Sequence, residues 1–243
     1  MTINGKAYCL FEQSGTFRDA FIRAGIPAVC VDIDNQDGQT DYIVDLFEAI
    51  EQAYDGKPSF LDRITPDDFV MAFFPCIHFC QFAVMYYRKE TYNKRNQSPR
   101  NKADYAMHKF EQCYKFYCLL TKLCTVAQER NWRLVVENPW TQSLMQILWK
   151  KPEWLDKDRS MYGDYFNKPT GYWFYGCLPE IGGAIKKNKN TLIIEKTKNG
   201  AKAGMCSLDR SRISSTYADN FVRCKILGND CTEKLENQQL TLL

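Results

Sequence analysis

The chain has 243 residues, and its 45% hydrophobic and 14% aromatic content is enough for a globular core, which excludes wholesale disorder. No stretch approaches the roughly eighteen apolar residues of a membrane span, and the start lacks the regions of a signal peptide, so we expect a cytoplasmic protein with no membrane partner. The eleven cysteines lack the spacing of a disulfide scaffold and suit a reducing compartment. The net charge of +3 is too small to establish a polyanionic partner by itself.

The first half of the chain alternates strand-like and helix-like segments. Apolar runs predict strands over residues 7–11, 28–34, 42–46, 69–75 and 132–137. Helices are predicted over 16–24, from 47 to about 54, and over 103–130. Strands that are apolar throughout and separated by helices are typical of a parallel sheet covered on both faces. The sequence therefore predicts a doubly wound, Rossmann-like α/β fold with a mostly parallel sheet.

The C-terminal third is less regular. Residues 171–175 and 191–195 are predicted strands, joined by a loop rich in glycine and lysine. A final helix is predicted over 215–227, with Thr216 and Asp219 spaced as a capping pair. Because no linker separates these segments, we expect one domain over residues 1–243, in which 160–210 form a small irregular region.

Polar or reactive residues recur at the carboxyl ends of the predicted strands, where doubly wound sheets bind their ligands. After the first strand, Gly15 stands where the chain turns into a helix, whose amides can meet a ligand. Asp32 and Asp34 follow the second strand, and an acid there can accept hydrogen bonds from ribose hydroxyls. The later strands are followed by Asp45, by Pro75 and Cys76, and by Glu137, Asn138 and Pro139.

In chain order, these segments resemble the motifs of the C5-cytosine DNA methyltransferase family. Residues 10–17 (LFEQSGTF) are similar to its first motif, Phe-x-Gly-x-Gly-x-Phe, with Gln13 in place of the first glycine. Residues 74–80 (FPCIHFC) resemble the Pro-Cys-x-x-Phe-Ser motif, with Cys80 in place of serine, and 135–140 (VVENPW) contain the Glu-Asn motif. The matching positions are Phe11, Gly15, Phe17, Pro75, Cys76, Phe79, Glu137 and Asn138.

Weaker similarities extend the match over about residues 7–225. Residues 31–34 (VDID) resemble the acidic second motif, and Asp45 the third. Residues 162–176 are similar to a Lys-Pro-Thr segment of the shorter, phage-like members, and 209–221 resemble the closing helix motif. Little room remains for a large target-recognition domain. The resemblance therefore implies a short phage-like or bacterial member, with 160–210 on the substrate side of a single methyltransferase domain.

The resemblance implies S-adenosylmethionine-dependent methylation of cytosine C5 in DNA, as in restriction-modification, by a monomeric enzyme. Cys76 would be the nucleophile that attacks cytosine C6, and Glu137 would hold and help protonate the N3 edge. The implied cofactor-binding residues are Phe11, Ser14, Gly15, Thr16, Phe17, Asp32, Asp45 and Pro75. The implied substrate-side residues are Asn138, Lys168, Thr170, Arg95 and Arg100.

A basic segment follows the nucleophile. Residues 88–102 hold six Lys or Arg against Glu90 alone. Such a segment contacts the phosphates of a nucleic acid, or it is only a solvated loop kept soluble by its charge. The resemblance implies that the partner is DNA, and RNA stays open within the same chemistry.

Three other interpretations were weighed. A zinc site at Cys76, His78 and Cys80 with one of the helical cysteines 113, 118 or 124 fits no zinc signature, so no metal is expected. Residues 138–140 (NPW) are faintly similar to the Asn-Pro-Pro-aromatic motif of adenine amino-methylating enzymes, but the second proline is missing. Finally, the departures at Gln13, Ile77 and Cys80 leave open a methyltransferase-fold protein that binds nucleic acid or cofactor without catalysis.

Overall fold

The computed structural model describes residues 1–79, 97–140, 145–181 and 212–229. Within them, seven strands form one sheet in the order β3-β2-β1-β4-β5-β7-β6. Strands β1 to β5 pair in parallel, and β7 is antiparallel to both of its neighbours. The strands are β1 (Ala7–Leu10), β2 (Ala28–Asp32), β3 (Tyr42–Ile43), β4 (Phe69–Ala72), β5 (Arg133–Pro139), β6 (Trp154–Asp156) and β7 (Thr170–Tyr175). The predicted α/β class with a mostly parallel sheet is confirmed, and the strand order is compatible with a Rossmann-like fold.

Helices cover both faces of the sheet. One hydrophobic cluster joins Ile50 and Leu120 to one face, and a second joins Phe21 and Phe221 to the other. The helices are α1 (Thr16–Arg23), α2 (Leu46–Tyr54), α3 (Pro99–Glu129), α4 (Met145–Leu148) and α5 (Ser215–Phe221), which continues as a π-helical turn (Val222–Ile226). Short 3₁₀ turns lie at Phe60–Arg63 and Arg159–Met161. In these described ranges, no helix has both the length and the apolar character needed to cross a membrane.

The apolar central strands bury alternate residues on opposite faces. Val70 belongs to the cluster under α2 and α3, whereas the next residue, Met71, belongs to the cluster under α1 and α5. Successive side chains of a strand point to opposite faces, so a strand buried on both sides must be apolar throughout. Strand β4 pairs with β5 in parallel from Phe69↔Arg133 to Ala72↔Val136. The chain therefore leaves both strands at the same edge of the sheet.

The structure changes several predicted boundaries. The third strand is reduced to Tyr42–Ile43, and strand β6 was missed because three residues give no usable apolar pattern. The predicted Thr216–Asp219 capping pair is wrong, because Ser214 caps α5 by accepting the Tyr217 N–H. The predicted strand over 191–195 lies outside the described residues.

Shortening a core leucine tests the packing of the sheet. Leu134 is 0% exposed in β5, and Leu134→Ala should lower the free energy of unfolding by about 2–5 kcal/mol, because it removes buried methyl groups and leaves a cavity. The matched control is Leu178→Ala, which should change stability by less than about 0.5 kcal/mol because Leu178 is 71% exposed. Urea unfolding of both variants measures the difference, and equal losses would contradict this description of the core.

Candidate functional site

A cavity of about 230 Å³ lies at the carboxyl edge of the sheet, beyond the ends of β1, β4 and β5. After β1 the chain builds β2 and β3 on one side, and β4 then starts the other side. Ligands of open α/β sheets bind at such a switch point. The cavity is lined by Phe11, Glu12, Gln13, Ser14, Thr16, Phe17, Asp37, Phe73, Phe74, Pro75, Cys76, Glu137, Pro139, Lys168, Arg212 and Ile213.

The structure brings together about half of the residues proposed from the sequence. Cys76 and Glu137 line the same cavity, although they leave different strands. The other proposed residues that line it are Phe11, Ser14, Thr16, Phe17, Pro75 and Lys168. The proposed residues that do not line it are Gly15, Asp32, Asp45, Asn138, Thr170 and Arg100. Arg95 lies outside the described residues.

The turn after β1 is shaped by two residues with positive φ. Phe11 has φ +60°, which is unusual for a bulky side chain, and its ring packs against Phe47 and Phe74. Gly15, at φ +69°, precedes the first residue of α1, and a Cβ there would lie 2.7 Å from an Arg18 nitrogen. Gly15 therefore shapes the turn into the helix.

A buried carboxyl that the sequence analysis missed caps this helix. Glu12 accepts the backbone N–H of Phe17 at 2.7 Å and that of Arg18 at 3.2 Å, and the Cys30 thiol donates to it at 3.4 Å. Burial is the largest influence on Glu12 and raises its pKa. The signal in the sequence was an acid between an apolar strand and a helix start, where the helix dipole favours negative charge.

The two proposed aspartates have local partners. Asp32 is buried, which raises its pKa, and its carboxylate accepts the Asp34 N–H at 2.8 Å and the Gln13 side-chain amide at 3.5 Å. Asp45 caps α2 by accepting the N–H groups of Phe47 and Glu48. Gln13 is thus the residue that lines the cavity in front of Asp32, and Asp45 supports a helix.

The loop that carries Cys76 is tied to the next strand. The side-chain amide of Asn138 donates to the Phe74 carbonyl at 2.8 Å, and Asn138 is 0% exposed. The Phe79 N–H donates to the Cys76 carbonyl at 2.9 Å and closes a turn around the half-buried thiol. Asn138 was proposed as a substrate-side residue. In the structure it bonds the backbone two positions before Cys76.

Glu137 lies on β5 opposite Tyr172 of the antiparallel strand β7. Its carboxylate is 8% exposed and accepts the Arg159 guanidinium at 3.5 Å. Thr170, another proposed substrate-side residue, is buried at the start of β7 and donates its hydroxyl to the Lys168 carbonyl at 3.1 Å. Thr170 therefore supports the segment that brings Lys168 to the cavity.

Two charged residues of the cavity wall were not predicted. Asp37, between β2 and β3, pairs with Arg212, just before α5, at 3.1 Å. Both line the cavity, and 175 positions separate them in the chain. A sequence contains no signal for a contact of this kind. The predicted residue Arg100, by contrast, lies exposed in the first turn of α3.

Neither a metal site in the described ranges nor a similar curated protein was found that would assign a function to the cavity. Across the ranges that the structure describes, no three His, Cys, Asp or Glu side chains come together as a metal site, and Cys80 of the zinc alternative lies outside them. No protein-family model and no curated protein matches the chain.

Removing the hydrogen bond between β5 and the loop that carries Cys76 should affect both stability and thiol reactivity. Asn138→Ala leaves the Phe74 carbonyl without its buried donor, which should cost about 1–3 kcal/mol of unfolding free energy. The reaction of Cys76 with a thiol reagent should also change, because its loop loses an anchor. Chemical unfolding and thiol-labelling rates measure the two effects. An Asn138→Ala protein that matches wild type in both would show that the bond has no positioning role.

Glu12 should make stability depend on pH. Its pKa is raised in the folded chain, so between the unfolded value near 4.5 and the folded value the native state binds more protons than the unfolded state. The stabilisation from the protonated carboxyl is therefore complete below that window and is lost as the pH rises through it. Glu12→Gln cannot titrate, so its stability deficit relative to wild type should be largest below pH 4.5 and should shrink as the pH rises above it. Urea unfolding at stepped pH values measures the deficit, and a constant deficit would contradict the assignment.

Proposed function

We propose that the protein is an S-adenosylmethionine-dependent methyltransferase that acts on C5 of cytosine in DNA. One observation carries the proposal: Cys76, beyond β4, and Glu137, at the end of β5, line the same cavity as the turn between β1 and α1. A thiol and a carboxyl are the two groups that addition to a cytosine ring requires. The methyltransferase form of the Rossmann-like fold belongs to this proposal, supported by the strand order and the position of the cavity.

The proposed reaction begins with the Cys76 sulfur, which bonds to cytosine C6 while Glu137 hydrogen-bonds the N3 edge. The ring becomes enamine-like, so that C5 carries the electron pair for the next bond. S-adenosylmethionine, when bound, would supply the methyl group to which C5 bonds, and the electrons of the broken sulfur–methyl bond would stay on its sulfur as a neutral thioether. A base then removes the C5 proton, the C6–S bond breaks, and its electrons return to sulfur as the thiolate. The target base must be unstacked for this attack.

The residues of the cavity suit the cofactor's mixed chemistry. Phe11, Phe17 and Phe73 offer aromatic surface. Glu12 brings a buried carboxyl, and Thr16 a hydroxyl, to the same cavity. A ligand with an adenine ring and polar groups matches these surfaces, since rings pack on rings and hydroxyl and carboxyl groups form hydrogen bonds.

Positive charge supports a polyanionic substrate. Lys168 lines the cavity, where Arg212 is already paired with Asp37, and Arg100 is exposed at the start of α3. Lys and Arg side chains neutralise phosphates and release counterions, which gives binding that weakens with salt. Arg95 belongs to the basic sequence of residues 88–102, which is proposed to contact phosphates.

A second candidate function is a binding protein of the same fold without catalysis. Two observations favour it: the Gln13 side chain lines the cavity where the resembling motif has glycine, and the cavity, at about 230 Å³, is smaller than the roughly 300–1,000 Å³ of most ligand pockets. The two functions differ in one property that can be measured, which is the formation of a covalent bond to the base.

Trapping this bond tests the proposal. Wild-type protein incubated with labelled S-adenosylmethionine and DNA containing 5-fluorocytosine should form an adduct that survives denaturing gels, because fluorine at C5 blocks the release of sulfur. Cys76→Ser should lose the adduct. Cys118→Ser, a matched control at a half-buried cysteine of α3 that does not line the cavity, should keep it.

The other outcomes of this experiment would support a different nucleophile, function or substrate. An adduct that persists in Cys76→Ser would overturn the assignment of the nucleophile. Cofactor binding with neither adduct nor methyl transfer would favour the non-catalytic function, methyl label on adenine would favour an amino-methylating enzyme, and label on RNA alone would change the substrate class.

A further inference from the structure

Arg159 is a buried cation next to the cavity wall. It lies on the 3₁₀ turn between β6 and β7, is 0% exposed, and does not line the cavity. Its guanidinium contacts Asp164 at 2.7 Å and Glu137 at 3.5 Å, and it lies over the Tyr217 ring at 5.4 Å. A charge taken out of water is costly unless it is paired, so this arrangement needs a reason beyond the filling of space.

The guanidinium is held in place independently of Glu137. Its closer partner, Asp164, accepts the Ser214 N–H at 2.9 Å, and the Asp164 N–H donates to the Arg159 carbonyl at 3.2 Å. Ser214 in turn caps α5 and donates its hydroxyl to the Gly163 carbonyl at 2.6 Å. One side of Arg159 is therefore held by the charge of Asp164, as an ion pair without hydrogen-bond geometry, and by the Tyr217 ring of α5. Its other side is left to contact Glu137.

At 3.5 Å the contact between Arg159 and Glu137 is long for a hydrogen bond, and it acts on Glu137 mainly as the attraction of a buried ion pair. Among the described residues, Arg159 is the one side chain that bonds its carboxylate, through Oε1. The same carboxylate lines the cavity next to Cys76. A side chain held through one oxygen by a fixed cation has fewer rotamers and presents its other oxygen in a constant direction.

We propose that Arg159 is a positioning residue, which, locked by Asp164, orients the Glu137 carboxylate towards the base that occupies the cavity. The inference rests on the proposed function. It also couples two walls of the cavity, because the Asp164–Ser214 bond joins this cluster to the segment that carries Arg212 and Ile213.

A double-mutant cycle tests the inference. In Arg159→Lys the charge is kept but the fork geometry is lost, so kcat for methyl transfer should fall about 10- to 100-fold, as expected when a reacting group is misplaced. KM for DNA and the Kd of S-adenosylmethionine should stay within about two-fold, because Arg159 does not line the cavity. In a Glu137→Gln background, Arg159→Lys should lower the remaining kcat less than about two-fold, since it acts through Glu137.

A merely structural arginine gives a different result. It would lower kcat by the same factor in both backgrounds, together with the cofactor affinity and the melting temperature, and that result would overturn the inference.

If Arg159→Lys does not fold, Asp164→Asn serves instead, because it loosens Arg159 without touching Glu137. Its effect on kcat should likewise vanish in the Glu137→Gln background, and an effect that persists there would refute the role. A wild-type protein without adduct or transfer would remove the proposed function, and the role of Arg159 with it, whereas an active wild type with additive effects would remove only the latter.

Discussion

The parallel pairing of β4 with β5 is the constraint on which the site depends. The two strands run in the same direction, with Ala72 beside Val136, so the chain leaves both at one edge of the sheet. Cys76 comes four positions after Ala72, and Glu137 directly follows Val136. Had the pair been antiparallel, the two groups would stand at opposite edges. Backbone hydrogen bonds thus bring the thiol and the carboxyl together, without any attraction between them.

The Asn138 side chain converts this shared edge into a defined site. Strand ends alone leave the following loop free to turn in several directions. By donating to the Phe74 carbonyl, Asn138 links the backbone just before Cys76 to the residue just after Glu137. The bond is buried, so water does not compete with it, and losing it would leave a carbonyl unsatisfied. The loop direction is therefore fixed by the same strand that supplies the carboxyl.

The reversed strand β7 provides the remaining wall of the site. Because it runs against β5, its first residues lie beside the carboxyl end of β5, where Thr170 pairs with Pro139. Lys168 thereby reaches the cavity, and the turn carrying Arg159 packs close to Glu137. Burial of an ion pair seldom adds net stability, so the Arg159–Asp164 pair is better explained by the orientation it imposes than by stabilisation.

Sequence patterns predicted the parts of this structure that follow from burial. Continuous apolar runs predicted β1, β2, β4 and β5, and their shared edge predicted that Cys76 and Glu137 would meet. The directions of the polar side chains were not predictable, because the residue type and position of an aspartate do not show which group it will accept a hydrogen bond from. Asp45 was assigned to a ligand, yet it satisfies the free N–H groups of α2, as aspartates at helix starts commonly do.

Contacts between distant segments were equally hidden, and the pair of Asp37 with Arg212 is the clearest case. Gln13 is another case, because its contact with Asp32 changes what the similarity to the Phe-x-Gly-x-Gly-x-Phe motif predicts for this position. The resemblance leads one to expect open space at this position, whereas the glutamine amide approaches the Asp32 carboxylate. At 3.5 Å that contact is long for a hydrogen bond, so little free energy holds the side chain in front of the acid. Gln13 therefore stands at the cavity wall, and Asp32, which does not line the cavity, is contacted by its side chain.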